Sequence, residues 1–123
     1  MRDASTITIN AAAGLVTIEF FGHITAAHLR THFAEVEALG PMVAPPFTVL
    51  ADLTGLERMD PDCAPILSSV MDRLNEMGVS RVVRVIPDPR KDIGLGILSL
   101  FHYKSGVRTN TVPTRAEAVH LVA

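Results

Sequence analysis

Phe47-Thr-Val-Leu-Ala-Asp-Leu53 is a nearly continuous apolar run, and it reads as a strand buried on both faces. Residues 54–60 read as a turn. Beyond them Ile66, Leu67, Val70, Met71, Leu74 and Met77 recur at helical spacing, which puts one apolar face on a helix that Gly78 ends. Strand and helix meet at Asp60-Pro-Asp-Cys-Ala-Pro65. In open α/β sheets, sites gather where strands end and helices begin, so this joint is the first place to look for function.

Two helix starts are open at the joint. Asp60 could cap with Pro61 as first residue, but Pro65 would then lack an amide the helix needs. With Asp62 as cap, Pro65 falls among the first-turn residues whose amides have no intrahelical partner. The second start suits the prolines better.

Working outward, Thr6-Ile-Thr-Ile-Asn10 alternates, and Leu15-Val-Thr-Ile-Glu-Phe-Phe21 resumes after Ala-Ala-Ala-Gly14. This predicts a hairpin with glycine in its turn. Thr25 can cap a helix that turns Leu29, Phe33 and Val36 inward and ends at Gly40. After Gly78, Arg81-Val-Val-Arg-Val-Ile86 reads as a strand. Asp88-Pro89 opens a third helix reaching to about Lys104, residues 107–112 form a last strand, and Thr114-Arg-Ala-Glu117 is a capping box for a short final helix. The order is β-β-α-β-α-β-α-β-α. Right-handed crossovers then give an α/β domain over residues 1–123, with a mixed five-stranded sheet and about four helices.

Bulk properties exclude several classes. With 48% hydrophobic and 20% charged residues, the chain can build a core and is not a disordered one. A net charge of −2 and the lack of a Lys/Arg run argue against nucleic acid. No apolar run is long enough to span a bilayer, and the N-terminal stretch lacks a signal-peptide core. The single Cys63 cannot form an internal disulfide, so a cytoplasmic location is expected.

The strand-turn-helix joint carries a resemblance. Val49-Leu-Ala-Asp-Leu-Thr-Gly-Leu-Glu-Arg-Met-Asp60, with the helix ending Asn75-Glu-Met-Gly78, resembles the STAS domain of sulfate transporters and anti-sigma-factor antagonists. The resemblance extends over almost the whole chain. Leu98-Ser-Leu-Phe-His-Tyr-Lys-Ser-Gly-Val107 through Glu117-Ala-Val119 looks more like the divergent SpoIIAA-like branch, which is also compared with lipid-binding SEC14 folds. The resemblance implies a bacterial-type regulatory module in which a kinase-type anti-sigma factor phosphorylates a hydroxyl residue at the joint. That residue lies just before a glycine in Asp-Ser-Ser-Gly or Asp-Thr-Ser-Gly. Here Asp60 matches, Asp62 stands at the acceptor position and Cys63 replaces the glycine. Asp62 either mimics a permanently modified state, with about one charge against about 1.5 to 2 for phosphoserine, or only caps a helix.

Other candidates have bland readings beside them. His28 and His32 stand four apart, a spacing that suits a metal, but no clear third ligand adjoins them and no metal site is expected. Cys63 at a helix start could be a thiolate, yet Asp60 and Asp62 oppose that, and a small buried residue is the simpler role. Asp52 is one carboxylate without a partner for acid–base work. No Gly-x-Ser-x-Gly, Walker loop or dinucleotide fingerprint is present, so neither an enzyme nor a cofactor is expected. On the third helix, which contains Gly94 and Gly96, Leu95, Leu98, Phe101 and Tyr103 give either a wide core face or an apolar contact surface. The expected function is therefore a non-enzymatic protein-interaction module. It would meet a partner, such as an anti-sigma-factor-like kinase or another regulator, through Thr54, Asp60, Asp62 and Cys63. The apolar residues of the third helix would serve a partner, a second copy of the chain or a lipid-like ligand. The alternative function is a carrier or sensor of a small apolar ligand.

Overall fold

A computed structural model describes residues 4–39, 42–87 and 107–122. Strands β1 (Ala4–Asn10) and β2 (Leu15–Ile24) form the expected antiparallel hairpin. Its turn closes through the Gly14 amide to Ala11 O at 3.2 Å, with Gly14 at φ +62°, while Asn10 Oδ1 accepts the Ala13 amide. Helix α1 (Ala26–Leu39) follows, then β3 (Phe47–Met59), a 3-10 turn at Pro61–Cys63 and α2 (Ala64–Met77). The described chain ends with β4 (Val79–Val85), β5 (Arg108–Val112) and α3 (Arg115–Val122). The five strands lie in sequence order, β1-β2-β3-β4-β5, with every pair after the hairpin parallel. Three α-helices stand among the described residues against the four expected. The helix expected at 88–104, with Leu95, Leu98, Phe101 and Tyr103, lies outside them.

The reading of β3 is right about its burial and wrong about its end. Val49 and Leu53 pack on one side of the sheet and Leu50 on the other, each 2% exposed or less. Residues 54–59, expected as a turn, continue the strand and pair with β2 through Met59↔Ile24. Two register shifts put extra residues into β3 here, so Leu53, Leu56 and Met59 are buried at every third position instead of every second. Beyond Asp52 the β4 pairing stops, and with a neighbour on one side only the strand can carry the exposed Thr54, Glu57 and Arg58. Gly55 is required within this overhang. A Cβ there would come within 2.8 Å of the Phe21 ring and 3.2 Å of Phe20 O.

Helices α1 and α2 cover one face. Leu29 and Val36 from α1 and Leu67, Val70, Met71 and Leu74 from α2 pack on Val16, Ile18, Phe20, Val49 and Val82. Thr25 caps α1 as expected, and His28 completes the box: Thr25 Oγ1 accepts the His28 amide and His28 Nδ1 accepts the Thr25 amide. Gly78 ends α2 at φ +100°, donating its amide to Leu74 O and Asn75 O, and a Cβ there would meet Pro45 at 2.5 Å. Thr114 Oγ1 accepts the Glu117 amide, its half of the predicted capping box.

The short α3 covers part of the opposite face through Ala118, Leu121 and Val122 against Leu50, Val83 and Val85. An ion pair fixes it. Arg115 Nη1 donates to Asp52 Oδ2 at 2.7 Å and lies 3.7 Å from Glu19 Oε2. Burial alone would raise the Asp52 pKa, but the Thr54 hydroxyl, the Thr54 amide and the Arg115 guanidinium outweigh it and hold the carboxyl below its ordinary value. Arg81 Nη1 adds a bond to Leu121 O at 2.9 Å.

Arg115→Ala should destabilise the fold by about 1–3 kcal/mol at neutral pH, less than a fully buried pair because Arg115 is 43% exposed. Since the Asp52 pKa is depressed, its contribution is complete above the unfolded carboxylate pKa and is lost as pH falls through the folded one. The difference between wild type and Arg115→Ala in urea midpoints should therefore shrink below about pH 4.

His32 acts in the same direction over a higher pH range. Burial lowers its pKa from 6.5 to about 4. The unfolded chain takes up a proton that the folded one refuses, so stability falls as pH drops from 6.5 toward 4, by up to about 3 kcal/mol. His32→Gln should flatten that part of a stability–pH curve; a slope equal to that of wild type would contradict the assignment.

Candidate functional site

Because β2 and β3 run parallel, the connections that leave their C-terminal ends share one end of the sheet. The Asp60 amide donates to Ile24 O at 3.0 Å and ties the two connections together. The joint after β3 thus meets the β2–α1 corner, His23-Ile24-Thr25.

Two prolines shape the joint. In a continuous α-helix the Pro61 carbonyl would look for the amide of residue 65, and Pro65 has none. The tighter 3-10 pattern gives Pro61 O the Ala64 amide instead. Helix α2 then starts at Ala64, with Pro65 in its first turn. The preferred sequence reading, Asp62 as side-chain cap, is not what forms: helical winding begins after Asp60, and Asp62 sits exposed inside the 3-10 turn. Asp60 holds the N-cap place in extended conformation, yet its carboxylate makes no capping bond.

The Asp60 carboxylate is used elsewhere. His23 Nε2 lies 2.6 Å from Asp60 Oδ1, with Arg58 Nη2 3.1 Å from the same nitrogen and 3.7 Å from Oδ1. A carboxylate this close selects the tautomer with the proton on Nε2, which leaves the Arg58 charge directed at Asp60. Asp60 and His23 are each roughly one-third exposed, and Arg58 is largely in solvent. Asp62 adds a second carboxylate to this rim. Cys63 is fully buried beneath it, its Sγ 3.7 Å from Ile24 O. Burial raises its pKa, and the charges of Asp62 and Asp60 raise it further, so Cys63 packs as a thiol.

The structure gathers Asp60, Asp62 and Cys63 and sets Thr54 apart from them. Five residue steps along the strand, about 16 Å, separate Thr54 from Met59 at the joint. Its amide and hydroxyl both bond Asp52 Oδ1, within the Arg115 cluster. His28 serves the α1 cap, and His32 turns into the core with Nδ1 3.0 Å from Ser5 Oγ. The two imidazoles thus serve separate local roles. His23 and Arg58 escaped the sequence reading. Their signal was available only once β2 and β3 were known to be parallel neighbours, because 35 positions separate them.

Scanned against protein-family models the chain matches none, and a search of curated proteins finds no relative. Solved structures do match. A protein of the DUF3478 family from Shewanella loihica aligns with TM-score 0.70 and 14% identity, over 98% of this chain and 94% of that one. The fold is SpoIIAA-like. The Bacillus cell fate determinant SpoIIAA in its phosphorylated form aligns with TM-score 0.65 and 18% identity, over 98% of this chain and all of that one. An anti-sigma factor antagonist from Mycobacterium paratuberculosis gives 0.62 and 22%, over 99% and 97%. The STAS-type resemblance carried by the joint and the described topology therefore agree.

If Asp62 does not cap, Asp62→Ala should change stability by no more than about 0.5 kcal/mol, the range of an ordinary surface substitution. A loss of about 1 kcal/mol or more in urea unfolding would restore the capping role.

Proposed function

We propose that this chain is a non-enzymatic regulatory module of the anti-sigma-factor-antagonist type, acting in the cytoplasm and binding a partner protein through the joint. The observation that carries the reading is the exposed acidic rim at the sheet end, where Asp62 projects from the 3-10 turn beside the His23–Asp60–Arg58 cluster. One structural neighbour is an anti-sigma factor antagonist by description, and another is the phosphorylated form of SpoIIAA. Asp62 stands where that resemblance expects the modified hydroxyl, so the rim here holds its negative charge without a kinase. The partner face that fits it is basic, since Asp60 and Asp62 offer carboxylates at the turn and Glu57 adds a third on the strand before it. Thr54, tied to Asp52, belongs to the support of α3 in this reading and not to the contact.

The carrier reading receives less support. Among the described residues, the cavity between the sheet and helices α1 and α2 measures about 50 Å³, whereas pockets for drug-sized ligands run to about 300–1,000 Å³. A lipid chain does not fit it as it stands.

Affinity capture of the tagged protein from its own cells should recover a partner that Asp62→Arg loses at least tenfold. Glu76→Arg, the corresponding charge change at the far end of α2, should retain it. Equal capture by all three proteins, measured by quantitative mass spectrometry, would refute the joint as the contact. Phosphate found on the wild-type joint would refute its constitutive state.

A further inference from the structure

The cavity under α1 and α2 contains one feature that packing does not explain. Its walls include Ile18, Phe20, Val49, Leu67, Met71 and Val82, and His32 also lines it. His32 is 1% exposed. Its Nδ1 is held by Ser5 Oγ, which fixes the ring, and its buried Nε2 has no hydrogen-bond partner. Buried nitrogens are normally paired with protein or with something bound. Arg84, which also lines the cavity, is engaged elsewhere, its Nη2 donating to Thr111 Oγ1 at 2.6 Å.

Water is a poor occupant for such a space. A buried water typically makes about three hydrogen bonds, and apart from Nε2 and the Arg84 guanidinium, which Thr111 engages, the lining residues are apolar. An apolar body with one polar tip matches the lining better: carbon against the walls, the tip on Nε2. Size limits it further. A cavity of about 150 Å³ accepts the six heavy atoms of benzene, so by proportion about 50 Å³ suits roughly two, or three if the walls yield a little. The flexible Met71 side chain can yield slightly more room. Charge limits it too, because the buried imidazole stays neutral and the Arg84 guanidinium on the lining is already engaged with Thr111.

We propose that this cavity is a binding site for a small uncharged molecule with an apolar body and a single hydroxyl or carbonyl, which His32 Nε2 holds. The site is separate from the joint and does not depend on the partner-binding reading. Ser5 and His32 set its polar end, and the α2 residues Leu67 and Met71 form part of its apolar wall.

The test is an NMR titration of the whole chain with ethanol, following the His32 ring nitrogens and the Met71 methyl. Both signals should shift saturably, with Nε2 moving more than Nδ1. His32→Leu should weaken the apparent affinity at least fivefold. Val82→Ala enlarges the cavity and should tighten binding severalfold, which keeps the proposal testable if His32→Leu fails to fold. Absence of a saturable shift in both wild type and Val82→Ala would overturn the proposal. So would undiminished affinity in folded His32→Leu, saturable acetate binding tighter than ethanol, or a crystal grown with ethanol that shows only water on Nε2.

Discussion

The double burial of β3 is the constraint on which the rest of this fold depends. With Val49 and Leu53 packed on one side and Leu50 on the other, the strand needs cover on both faces. One side receives the long amphipathic helices α1 and α2. The other includes the two-turn α3, which supplies only a few apolar contacts and leans on ionic ones: Arg115 to Asp52, and Arg81 to the Leu121 carbonyl. The two layers are therefore held by different physics. The α1–α2 layer rests chiefly on buried area and weakens in acid through His32, whereas the α3 layer rests partly on charge and weakens in acid through Asp52.

A second constraint acts locally and shapes the candidate site. The missing amide of Pro65 rules out a regular helix start at Pro61, and the 3-10 turn is the geometry that still satisfies the Pro61 carbonyl. That turn lifts Asp62 outward, seats Cys63 under the β2–α1 corner and leaves Asp60 beside His23. Two prolines and a small buried thiol thus decide which carboxylates reach solvent.

Much of this was legible in the sequence, and the illegible parts have physical causes. The apolar faces of α1 and α2, the Gly14 turn, the Thr25 cap and the Gly78 stop follow from local periodicity and local backbone chemistry. The far half of β3 does not, because its bulges replace the two-residue period with a three-residue one and its single neighbour permits polar residues. Residues Thr54 to Met59 consequently look like a loop. Clusters built across the sheet were equally hidden. His23 with Asp60 and Asp52 with Arg115 are joined by strand order and register, neither of which a linear pattern records. His32 misled in another way: its spacing from His28 suggested a shared face, while the register of α1 against β1 delivers it to Ser5 and the core.

The sequential strand order bears on where this architecture can keep a site at all. Doubly wound sheets open a crevice at the point where successive strands stop adding on one side and begin adding on the other. Here the described strands add in one direction from β1 to β5, so no such reversal occurs. The two proposed sites lie accordingly away from such a crevice: one on the exposed rim at the joint, the other in the space beneath α1 and α2.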